Sequence, residues 1–105
     1  MEAFCASIVS ATQHAAVAYK PNLAFFEQYG SEGWAALERV VTAIPSDVLV
    51  IADAKRGDIG NTATKYAKAM FDGLGADAVT VAPTWAATAW NRSLRSKDVG
   101  PSCWR

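Results

Sequence analysis

Short, branched apolar runs recur along this chain at a nearly constant interval, each followed by a stretch of helical periodicity. Lys20 closes the first run, Asp53 ends the second and Pro83 the third, at intervals of 33 and 30 positions. That interval is the size of one strand–helix unit joining neighbouring parallel strands. Strands alternating with helices predict a parallel α/β architecture with right-handed crossovers, and the period by itself fits a closed barrel or an open sheet equally.

Taken in order, the spacing predicts an N-terminal amphipathic helix with Phe4, Ile8, Ala11 and Ala15 on its core face. A short strand over 16–19 follows and places Lys20 at its carboxyl end, before Pro21 and Asn22 break the pattern. Phe25, Phe26 and Tyr29 read as core or interface packing. Ser31 is the expected N-cap of a helix from about Glu32 to Ile44, buried through Trp34, Leu37, Val41 and Ile44 and stopped by Pro45. A later helix is expected from Thr62 to about Leu74, with Tyr66, Met70 and Leu74 inward, and a third strand over Ala78–Val81. His14, the one histidine, has no nucleophile or metal partner near it in sequence and reads as a surface or packing residue.

The second run carries the chemistry. From Val48 to Thr62 the chain reads VLVIADAKRGDIGNT, a buried-strand opening followed at once by Asp53, Lys55, Arg56 and Asp58. Gly57, Gly60 and Asn61 supply turn chemistry into the next helix. The carboxyl edge of a parallel sheet is where ligands bind. Alternation along a strand turns Asp53 and Lys55 the same way, and Asp58 arrives from the loop beyond. An ammonium held between two carboxylates stays charged, is fixed in position and is well placed to donate a proton. The residues alone also fit a solvated loop that happens to be charged, because short motifs match by chance.

Composition narrows the classes. Ten basic and ten acidic residues give zero formal net charge, which points away from nucleic acid and anionic membrane as partners. A hydrophobic fraction of 51% indicates a folded chain. No apolar run reaches the roughly 18 residues of a membrane helix. Glu2 stands where a signal peptide would be basic, so a cytoplasmic location is expected. Cys5 and Cys103 show no metal-ligand spacing and read as free thiols.

The string from Asp53 to Thr62, preceded by YKPNLAFFEQYG from Tyr19 to Gly30, resembles the orotidine 5′-phosphate decarboxylase family over roughly Phe4 to Pro83. The resemblance implies a partial (β/α)8 TIM barrel in which residues 1–83 supply about three strands, the second to the fourth. It also implies decarboxylation of orotidine 5′-phosphate (OMP) to UMP in pyrimidine synthesis, without metal or organic cofactor. The family's charged tetrad falls on Lys20, Asp53, Lys55 and Asp58. Lys55 is the implied proton donor to C6, Asp53 and Asp58 lie beside the substrate carboxylate, and Lys20 holds the aspartates and contacts the ribose. Asp58, Ile59 and Thr62 reach the neighbouring subunit's site, which implies a homodimer, with Ile59 and Thr62 as substrate-binding residues. Related Mg2+-dependent sugar-phosphate decarboxylases and synthases share D-x-K-x-x-D, but the Ile59-Gly60-Asn61-Thr62 continuation points away from them.

The chain also departs from the family. At 105 residues it is well short of a complete barrel of roughly 250. It begins one helix after the family's first strand and ends before the strands bearing the phosphate-gripping Gly and Arg residues. Loss of that grip is expected to lower turnover, which makes an inactive remnant the alternative. Residues 84–105, TWAATAWNRSLRSKDVGPSCWR, lack a clear period. Regrouping the codons of Thr84 to Ser93 one base earlier permits Tyr-Met-Gly-Arg-Asp-Ser-Val-Glu-Pro-Phe, which resembles the family's continuation. An out-of-frame tail is therefore expected.

Overall fold

The computed structural model describes residues 1–58 and 60–82. Ile59, Cys103 and the expected out-of-frame tail lie outside the described residues. Helix α1 (Glu2–Thr12) leads to β1 (Ala18–Tyr19), α2 (Ala24–Glu27), α3 (Gly30–Thr42), β2 (Leu49–Arg56) and α4 (Gly60–Lys68). A π-helical turn (Ala69–Gly73) then leads to β3 (Ala78–Val81). The strands lie in the order β1-β2-β3, and both pairings are parallel. The expected parallel α/β layout is what forms. Among the described residues no helix is long and apolar enough to cross a membrane.

The core lies between the sheet and the helices. Val48, Val50 and Ala52 are buried, as are Leu37, Val40 and Val41 of α3, Ala63 and Ala67 of α4, and Met70 and Leu74 after it. Leu37 and Val41 emerge from the predicted stripe, whereas Trp34 is half-buried and its indole N–H donates to Glu38 Oε1 at 3.0 Å. At the amino end of the sheet, Asp77 closes the start of β3. Its carboxylate accepts the Val50 N–H at 2.8 Å, and its own N–H donates to the Val50 carbonyl at 2.8 Å.

Three expectations need correction. Helix α1 does not bury Phe4, Ile8, Ala11 and Ala15: Phe4 is 70% exposed, and Val9 is buried with Cys5 half-buried beside the core. The helix is apolar or small around most of its circumference, so periodicity selects no single face. Packing on α3 selects it, and a bidentate pair from Arg39 to Glu2 at 2.8 and 2.7 Å ties the two helices.

Helix α3 starts at Gly30 without a side-chain cap, so Ser31 is not its N-cap. Gly30, at φ +62°, turns the chain straight from α2 into α3. Gly33 then sits so close to α2 that a Cβ on it would lie 1.8 Å from the Phe26 carbonyl oxygen. This contact buries Phe26 and leaves Phe25 and Tyr29 exposed. The last helix begins at Gly60, before Thr62, and widens into the π-helical turn before Leu74.

Candidate active site

The carboxyl ends of the strands gather charge around one buried carboxylate. Asp53 is 7% exposed, the sole charged residue buried among those described. Its backbone is fixed from both sides. The Asp53 N–H donates to the Pro21 carbonyl at 3.0 Å, and the Asp53 carbonyl accepts the Leu23 N–H at 3.2 Å, an isolated parallel bridge that extends the β1–β2 pairing past Lys20.

Three donors meet its carboxylate. Lys55 Nζ lies 2.5 Å from Oδ1, the Thr80 hydroxyl donates to the same oxygen at 2.9 Å, and Lys20 Nζ donates to Oδ2 at 3.2 Å. The bond from Lys55 is the main influence holding Asp53 down to about 2, against the opposing effect of burial, and Thr80 and Lys20 add to it. The two ammonium groups remain open to solvent, with side chains 56% exposed for Lys20 and 67% for Lys55. The array is a buried, ionised carboxylate carrying two reachable proton donors.

Lys55 reaches this position through an irregular strand. Ala52 pairs with Val79 and Arg56 with Val81, so four steps on β2 face two on β3. Within that slip Lys55 adopts φ +49°, a left-handed conformation that costs a non-glycine residue roughly 1 kcal/mol. Simple alternation foresaw the Asp53–Lys55 contact without the slip that produces it.

Among the other expected site residues, Asp58 is half-buried in the loop after β2. Thr62 is exposed in the first turn of α4. Ile59 lies outside the described residues. One further residue escaped sequence reasoning, and another was noted there only as one of the motif's charges. Thr80 was legible only as the polar position of an apolar strand. Arg56 pairs with Glu27 of α2 and stands 5.7 Å from the centre of the Tyr66 ring in α4, clamping the carboxyl end of β2 between two helices.

Asp53 also makes stability depend on pH. Its folded value lies below its ordinary 3.8, so its contribution is present above about pH 4 and is lost as pH falls through about 2. Both ammonium partners are solvent-screened, so the effect is on the order of 1 kcal/mol. Urea melts from pH 5 to 2 are expected to show a steeper loss for the native chain than for Asp53→Asn. Parallel curves would exclude this contribution.

A carboxylate–ammonium array at the carboxyl ends of parallel strands is the layout of α/β-barrel active sites, which place their chemistry at that edge. The chain belongs to the orotidine 5′-phosphate decarboxylase / HUMPS family, whose model matches residues 1–89 and so runs past Pro83. It is 53% identical over 97 residues to the orotidine 5′-phosphate decarboxylase of Roseiflexus castenholzii, covering 92% of this chain and 35% of the relative. Over 80 residues it is 54% identical to the Herpetosiphon aurantiacus enzyme, covering 76% of this chain and 30% of that one. The structure of Leishmania donovani OMP decarboxylase matches with a TM-score of 0.84 and 44% identity, covering 90% of this chain and 38% of the other. The chain spans about a third of the length of the curated relatives it matches. Its three strands are part of a TIM barrel.

Proposed function

We propose that this chain is a segment of an orotidine 5′-phosphate decarboxylase, carrying the charged core of its active site. The observation that supports this reading is the Lys20–Asp53–Lys55 array at the carboxyl edge, within the family's motif. In the reaction the bond from C6 of the orotate ring to its carboxylate breaks. The electron pair stays on C6, CO2 leaves, and the Lys55 ammonium delivers the proton that completes UMP. Placed positive charge beside the developing carbanion lowers the barrier, and no metal or organic cofactor enters. Asp53 and Asp58 lie beside the departing carboxylate and crowd negative charge there. Lys20 orients Asp53 and contacts the ribose. Asp58, Ile59 and Thr62 serve the site of a second subunit in a cytoplasmic homodimer.

The test is a chimaera in which residues 1–82 replace the matching segment of the Roseiflexus castenholzii relative. It is expected to convert OMP to UMP without added metal. A chimaera that folds as the relative does, yet leaves OMP unchanged, overturns the reading. The proposal extends to residues 84–105 as out-of-frame translation, supported by the codon regrouping alone. Resequencing the DNA tests it, and wobble bases that encode an unrelated segment in the earlier frame would sink it.

A further inference from the structure

Thr80 stands opposite the irregular stretch of β2, between Val79 and Val81, the two residues whose partners are four steps apart. Its hydroxyl does two jobs at once. As donor it reaches Asp53 Oδ1 at 2.9 Å, and as acceptor it takes the Lys55 N–H at 3.1 Å. One β-branched side chain, stiff at χ1, thus bonds the two residues on either side of Ala54. In a regular strand the Lys55 amide would face β1, as the Leu49 and Asp53 amides do in bonding the Val17 and Pro21 carbonyls, and the slip turns it toward β3. Here the side-chain oxygen takes it, which satisfies the amide while Lys55 holds φ +49°.

We propose that Thr80 is a positioning residue, which from β3 templates the slip in β2 and so holds the Lys55 ammonium against Asp53. This rests on the reading of Lys55 as the proton donor, and it adds a residue on the next strand to the working unit. The groups facing Asp53 are the ammonium of Lys20 from the end of β1, the ammonium of Lys55 from β2 itself and the Thr80 hydroxyl from β3. Asp58 follows in the loop after β2. The hydroxyl acts on the carboxylate in the same direction as the two cations, helping to keep it ionised.

The test is an NMR titration of the Asp53 carboxyl carbon in the whole 105-residue chain. Thr80→Val keeps shape and removes the hydroxyl. It is expected to raise the Asp53 titration by about one pH unit, and Thr80→Ser to return it to the native position. An unmoved titration in Thr80→Val, or a serine variant that titrates like the valine one, overturns the proposal.

If the valine chain does not fold, the native chain decides. The Thr80 hydroxyl proton should exchange slowly and show a cross-peak to the Lys55 amide, and its absence overturns the assignment. In the chimaera, Thr80→Val should lower kcat by about tenfold with little change in KM, and serine should restore it. A KM effect with kcat intact counts against positioning. A chimaera without any decarboxylation removes the functional reading, while the titration still decides what Thr80 does.

Discussion

Lys55→Ala is expected to lower OMP turnover by the chimaera about 100- to 10,000-fold, the range associated with a positioned proton donor. The native ammonium is 2.5 Å from a buried carboxylate, so its orientation is set before substrate arrives, and its exposed side leaves room for a reacting carbon. Alanine removes the proton source and half of the cationic pairing of Asp53. Lys20 remains bonded to the other carboxylate oxygen, so the site keeps one cation and KM should change much less than kcat. Arginine should not rescue, because a guanidinium does not give up its proton at neutral pH. The measurement is steady-state OMP consumption with purified variants. Turnover within about threefold of native would remove Lys55 from its role.

Gly33→Ala is expected to destabilise the chain by about 2–4 kcal/mol, with Tm lower by roughly 10 °C or more. Two effects oppose each other at this position. Alanine is the better helix former by about 1 kcal/mol and, in an open helix, would stabilise. Here the new Cβ would lie 1.8 Å from the Phe26 carbonyl oxygen, 2.8 Å from its carbon and 3.0 Å from Tyr29 Cβ. Two of those three atoms are backbone, which cannot swing aside as a side-chain tip does. Helices α2 and α3 must therefore part, and the clash outweighs the propensity gain. The strain also passes toward the site, because Leu23 and Pro21, just before α2, hold the backbone of Asp53. Thermal or urea unfolding of Gly33→Ala checks this, and a variant as stable as native excludes the close approach.

The strand-and-helix order was readable because each element announces itself locally. The branched run at Val48–Ile51, the proline at 45 and the i, i+4 spacing of Tyr66, Met70 and Leu74 need no distant partner. Lys20 and Asp53 were readable as a pair for a similar reason. A crossover of 33 positions brings the end of one strand beside the next, and their side chains meet at 3.2 Å. Helix α1 was not readable in the same way. Phe4 and Ile8 carry helical spacing, but so do Cys5 and Val9, and the docking on α3 chose the second pair.

Local chemistry thus specified the parallel α/β class, the order of its elements and the cluster of charge at the carboxyl end of β2, because strand and helix periods and the motif's residue types are properties of short segments. Packing decided which face of α1 is buried, how closely Gly33 meets Phe26 and which β3 residues stand opposite the slip in β2. It also decided that Thr80 joins Asp53 and Lys55. Neighbours across a ladder or between helices are set by register and close contact. Those are relations between segments, and no single segment contains them.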